Sequence, residues 1–100
     1  MPRLTVKTSH MLGEEEALRR LKDKVSALKE TYQGHFSELR EEWDGNTFSF
    51  GFKAAGMKVT ARGMVDASQV KLDAELPLAV MIFKGMIQAR INQELGSLLT

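Results

Sequence analysis

Few side chains in this sequence are of a type that makes or breaks bonds. His10 and His35 are its two imidazoles. A metal site would need further ligands converging on them, and no second histidine or carboxylate stands at HxxxH or HxxxE spacing within a helical segment. Both sit beside expected helix boundaries, which suits capping, packing or loop roles. The serines at 9, 26, 37, 49, 68 and 97 include no GxSxG, and no histidine–acid pair is spaced for a triad. Glu14-Glu15-Glu16 fits the first turn of a helix, where the dipole favours negative charge. Gly51, Gly56 and Gly63 do not form a phosphate loop, because GFKAAG lacks the GK[ST] ending and reads as strand–turn–strand. Glu41 is the one carboxylate with a second reading. Strand parity points it inwards beside Leu39 and Trp43, where burial would raise its pKa. The position also suits the fraying end of an edge strand, and that reading is preferred. No catalytic residue, metal site or cofactor is assigned.

Composition narrows the classes further. Fourteen basic against thirteen acidic residues give a net charge of +1, too even for a dedicated nucleic-acid binder. Apolar residues at 43% suit a folded soluble chain, and 100 residues suit one domain, residues 1–100. The absence of cysteine excludes disulfides and thiolate chemistry and fits a reducing cytoplasm. MPRLTVKTSH lacks the apolar core of a signal peptide. The most apolar run, Leu76 to Phe83, is far shorter than the roughly 20 residues of a membrane span. A cytoplasmic protein is expected.

The elements that position these groups follow from periodicity. Leu4, Val6 and Thr8 alternate with polar residues as a short strand. Ala17, Leu18, Leu21, Val25, Leu28 and Tyr32 then recur at three- and four-residue spacing, one stripe of a helix that opens after Gly13 and closes near Gly34. Four alternating runs follow. Asp44-Gly45 is read as the two-residue turn between the first two, Ala54-Ala55-Gly56 as the next turn, and Asp66-Ala67-Ser68 as the last. Phe48, Phe50 and Phe52 share one parity and are expected in the core. The other face carries seven basic and four acidic residues, a mildly positive and solvated surface. Pro77 suits the first turn of a helix running to about Leu99. The order β-α-β-β-β-β-α predicts an α+β two-layer sandwich, an antiparallel meander with both helices on one face.

The last helix has the least ordinary composition. Val80, Met81, Ile82, Phe83, Met86 and Ile87 exceed what one core-facing stripe requires. Val80, Met81, Phe83, Met86 and Ile87 are therefore the candidate hydrophobic binding or dimer surface, with core filling as the alternative. If a pocket lies between helix and sheet instead, His10 and Trp43 are its candidate rim.

These residues also carry a family resemblance. His10-x-Leu12-Gly13-x-Glu15-Glu16-Ala17 opens the first helix, Trp43-x-Gly45 precedes alternating aromatics, Gly56 precedes a strand containing Val59, and Leu76-Pro77-Leu78 leads into the apolar end. Over almost its whole length the chain resembles the polyhydroxyalkanoic acid system proteins, small bacterial proteins associated with polyhydroxyalkanoate granules or encoded near the enzymes that make the polymer. Asn46 departs from the acidic residue expected after the glycine. The resemblance implies storage-polymer biology, at granules in the cytoplasm, and supplies no catalytic residues.

Three functions are consistent with this reading. The first is a non-enzymatic granule-associated or regulatory protein acting through the terminal helix and one sheet face, with a homodimer among its expected forms. The second is a small hydrophobic-ligand module for a lipid or hydroxyacyl group, by fold-level analogy with helix-grip, START-like proteins. The third is an RNA- or ribosome-binding factor, disfavoured by the even charge. An enzyme ranks last.

Overall fold

Alternation of apolar and polar residues builds the sheet. The computed structural model describes residues 3–100. Its strands are β1 (Arg3–Ser9), β2 (Ser37–Asp44), β3 (Thr47–Ala54), β4 (Met57–Val65) and β5 (Gln69–Glu75). They pair antiparallel in the order β1-β5-β4-β3-β2, so β2 to β5 form a meander and β1 joins beside β5. Register sorts the side chains. Leu4 lies opposite Ala74, Val6 opposite Leu72, Gly63 opposite both Leu72 and Phe48, and Trp43 opposite Phe48. Directly opposed residues share a face, so these form one apolar face, with the charged residues on the other.

Two helices cover that face. Helix α1 (Glu14–Thr31) buries Ala17 and Leu21, and α2 (Lys84–Leu98) buries Leu95, joined by Leu99 just beyond it. Together they close a core on Leu4, Val6, Phe48, Val65, Val70 and Ala74. The helices are tied to each other by Lys24–Glu94 (3.0 Å) and by Arg20, which donates to the Leu98 and Thr100 carbonyls. Gln88 Nε2 donates to the Thr5 carbonyl, occupying a backbone acceptor on the β1 strand. The expected α+β sandwich and element order are those observed.

Several details differ from the sequence reading. The β2–β3 turn is Gly45-Asn46, one residue later than Asp44-Gly45, because Asp44 pairs with Thr47. Gly45 has φ 59° and Asn46 no positive φ, the signature of a turn that needs glycine first. The displaced Asn46 gains a role: its carbonyl accepts the Val65 N–H and its Nδ2 donates to the Val65 carbonyl, each at 2.8 Å. A carboxylate there could not donate, which accounts for an amide in place of the acidic residue. In β2, an extra residue between Ser37 and Arg40 makes a bulge, with Glu38 at φ 54°. Leu39 consequently lies outside the regular register and outside the core.

The expected continuous helix from Pro77 is also divided. Leu78–Phe83 is a 3-10 helix and α2 starts only at Lys84. Pro77 is extended (ψ 145°), no side chain caps the segment, and its amides bond three residues back, as Val80 N–H does to the Pro77 carbonyl. β-branched Val80 and Ile82 add crowding against a regular α-turn. Fifteen residues make α2 about 22 Å long rather than over 30 Å. Helix α1 also covers less than its stripe suggested, since Leu28 and, just beyond its end, Tyr32 remain nearly half exposed.

The β3–β4 turn stores strain. Its central residues are Ala55 (φ 53°) and Gly56 (φ 77°), both left-handed, and only the glycine adopts that conformation freely. Ala55→Asn is expected to stabilise the protein by about 1 kcal/mol, because Asn-Gly is the preferred pair for this turn. Thermal unfolding checks it, with a midpoint rise of about 4–8 °C expected.

Candidate functional site

The terminal segment leaves the sheet through buried Leu76 and then turns apolar side chains outward. Leu78 is 79% exposed, Ile82 84%, Phe83 51% and Met86 71%. Short 3-10 turns place successive side chains about 120° apart, so a single packing face cannot absorb a run that is apolar at every position. Val80, Met81 and Ile87 turn inwards and pack against the core. Of the five residues singled out from sequence, Phe83 and Met86 are thus at the surface, and Val80, Met81 and Ile87 support them from beneath. Sequence reasoning misses Leu78 and counts Ile82 only as surplus, yet they are the most exposed of the group. The signal that could have found them is Pro77 without a side-chain cap, which disfavours a regular α-turn. Lys84 is the only charged residue between Leu78 and Ala89, so the exposed segment carries almost no electrostatic cost of approach to an apolar phase.

The candidate rim residues lie elsewhere. His10 is buried (7% exposed) and lines neither of the concavities described below. Its Nδ1 accepts the Leu12 N–H (3.2 Å) and its Nε2 lies 3.1 Å from the Asp66 carbonyl. With Nδ1 accepting, the proton sits on Nε2 and is donated to Asp66. Asp66 Oδ1 in turn accepts the Ser68 and Gln69 amides (2.9 and 2.7 Å), so His10 clasps the β1 exit to the ordered β4–β5 turn. Trp43 is half-buried at the sheet edge. Its ring meets Phe48 and Phe50, with centroids 5.3 and 5.6 Å apart, and Lys22 Nζ stands 5.4 Å above it.

Glu41 does face the helix-covered side, on an edge strand. It is the reverse of a raised-pKa acid: Lys29 Nζ donates to Oε1 at 2.6 Å and Trp43 Nε1 to Oε2 at 2.7 Å, and these bonds hold its carboxyl below the ordinary 4.5. A carboxylate with a depressed folded pKa contributes stability above its unfolded value, and that contribution is lost as pH falls below it. Glu41→Gln should therefore destabilise the protein at neutral pH. The gap to wild type should close as the pH drops below about 4.5, as read from urea midpoints across the acid range.

Among the described residues, two concavities bear on a ligand site. One, of about 1040 Å³, lies on the outer sheet face between Arg3, Arg40, Lys53, Lys58 and Arg62 and Glu38, Glu42, Asp73 and Glu75. Five basic against four acidic groups leave it nearly neutral, and Arg3–Glu75 and Lys53–Glu38 are paired. The other, of about 530 Å³, adjoins the start of α1. Neither lies between helices and sheet. Among the described residues no three His, Cys, Asp or Glu side chains gather as metal ligands, and no helix is long and apolar enough to cross a membrane.

Comparison with known proteins places this geometry in a context. A family model described as "Putative polyhydroxyalkanoic acid system protein" matches residues 4–99. The chain belongs to this family. No curated protein matches the sequence. Among solved structures, the crystal structure of TTHA0849 from Thermus thermophilus is similar at 15% identity and a TM-score of 0.39, over 98% of this chain and 92% of that one. For a polyhydroxyalkanoic acid system protein the exposed segment Leu78–Met86 is the surface of greatest interest.

Proposed function

We propose that this family member is a non-enzymatic protein that binds the surface of polyhydroxyalkanoate granules in the cytoplasm through the Leu78–Met86 segment. The observation that carries the reading is four large apolar side chains exposed within nine residues that hold a single charge. The family's description as a polyhydroxyalkanoic acid system protein supports a storage polyester as the apolar phase it would meet. The underlying Val80, Met81 and Ile87 fix the segment on the core, so little order has to be gained on contact. An enclosed hydrophobic ligand is less favoured, because neither concavity runs beneath the terminal helix. RNA is less favoured because the outer face is charge-balanced.

The test is co-sedimentation of the purified protein with polyhydroxyalkanoate particles. Each large apolar side chain removed from water is worth about 1.5–3 kcal/mol. Ile82→Glu with Met86→Glu should therefore weaken binding at least about tenfold while the thermal midpoint stays near that of wild type. Binding unchanged in this variant would refute the reading. Both residues are exposed, so the variant probes the surface without emptying the core.

A further inference from the structure

The free edge of β2 carries its own complement. Asn46 accepts the Val65 N–H, so the even-numbered residues of β3 hydrogen-bond towards β4 and the odd-numbered ones towards β2. The β2 partners of Thr47, Ser49 and Gly51 are Asp44, Glu42 and Arg40, whose backbone groups are therefore committed. Trp43 and Glu41, which lie in the regular part of the strand, present theirs to the open side. Among the described residues Glu38 and Glu41 have ion-pair partners within the chain, Lys53 and Lys29, whereas Arg40 and Glu42 have none. These two unpaired charges are of opposite sign, two residues apart, on the same outer face, flanking Glu41.

We propose that two copies of this chain join antiparallel along β2 about a two-fold axis at Glu41, forming a continuous ten-stranded sheet. Each Arg40 then lies opposite the partner's Glu42, and each Glu42 opposite the partner's Arg40, so one axis makes two opposed-charge pairs. Leu39, in the bulge and 37% exposed alone, is brought beside the partner's Trp43. Glu41 and Trp43 supply the backbone groups that such an edge needs. The two Glu41 carboxylates near the axis are each already bound by Lys29 and by an indole N–H. Centring the axis on Arg40 or Glu42 instead would set like charges face to face. The charge pattern thus selects one register, while the bulge at Glu38 and Leu39 ends the pairing and blunts longer stacking.

Sedimentation velocity of the full chain at low salt tests this. A concentration-dependent dimer is expected. Arg40→Glu alone or Glu42→Arg alone, each placing like charges at both pairs, should weaken it at least about tenfold, equivalent to about 1.4 kcal/mol. Arg40→Glu combined with Glu42→Arg should restore it, which general surface damage would not do. Ile82→Glu with Met86→Glu should leave the dimer intact, separating this edge from the apolar segment. A wild-type monomer at every concentration, a dimer indifferent to single reversals, or a double reversal no better than the singles would overturn the proposal. So would a dimer lost only through Ile82 and Met86.

Discussion

Gly63→Ala is expected to destabilise the protein by about 3 kcal/mol, the upper end for forcing extra volume into a packed core. Gly63 sits in β4 opposite Phe48 on one side and Leu72 on the other. A Cβ built on it runs into the Lys71 carbonyl and into the Phe48 ring, which lies over the glycine. The ring could rotate only by leaving Trp43 and Phe50, its aromatic neighbours. The carbonyl belongs to the sheet backbone and cannot move without distorting the β4–β5 ladder. For a domain of this size the thermal midpoint should fall by about 12–24 °C. Gly51→Ala is the matched control, because the nearest atom to its added Cβ is the Thr60 Cγ2 at an ordinary 3.8 Å. That variant should be neutral or slightly stabilising, since an interior strand glycine costs about 0.5–1 kcal/mol. Equal losses at the two glycines would contradict the account of the core.

The second large effect is expected at His10. His10→Ala leaves the Leu12 N–H and the Asp66 carbonyl without their partner in a buried setting, at about 1–3 kcal/mol for each group stranded. A total of about 3 kcal/mol is expected by chemical denaturation, along with faster amide exchange in the Asp66–Gln69 turn. A change below about 0.5 kcal/mol, the ordinary size of a surface substitution, would show that the imidazole is not a clasp. This residue shows how a chemically capable side chain can be absorbed by architecture. Its partner Asp66 lies 56 residues away, in a hairpin turn that no local pattern connects to it.

That contrast separates what the sequence reveals from what it hides. Strands and helices were legible because period two and period 3.6 are local properties of the chain. Phe48 and Val65 fall where alternation puts them. The bulge at Glu38 was not legible, since one added residue leaves the composition of β2 unchanged while moving Leu39 out of register. Glu41 illustrates a different limit: parity gave its face, but the sign of its pKa shift depends on Lys29, supplied by α1 across the tertiary fold. The exposed segment was half legible. An excess of apolar residues after Pro77 is visible in the sequence, but which of them face outwards depends on the 3-10 geometry that divides the helix. Phe83 and Met86 emerged as surface, and Val80, Met81 and Ile87 as their support.

The central claim, that Leu78–Met86 is the face presented to storage polymer, is tested most directly by a polarity-sensitive fluorophore at single engineered positions. The chain has no cysteine, so Met86→Cys and Thr60→Cys each give one labelling site, the first in the apolar segment and the second on the outer sheet face. On adding polyhydroxyalkanoate particles, the label at 86 should shift to the blue and lose access to an aqueous quencher, while the label at 60 should stay in water. A shift at position 60 with none at position 86 would contradict the account, as would particle binding that moves neither label.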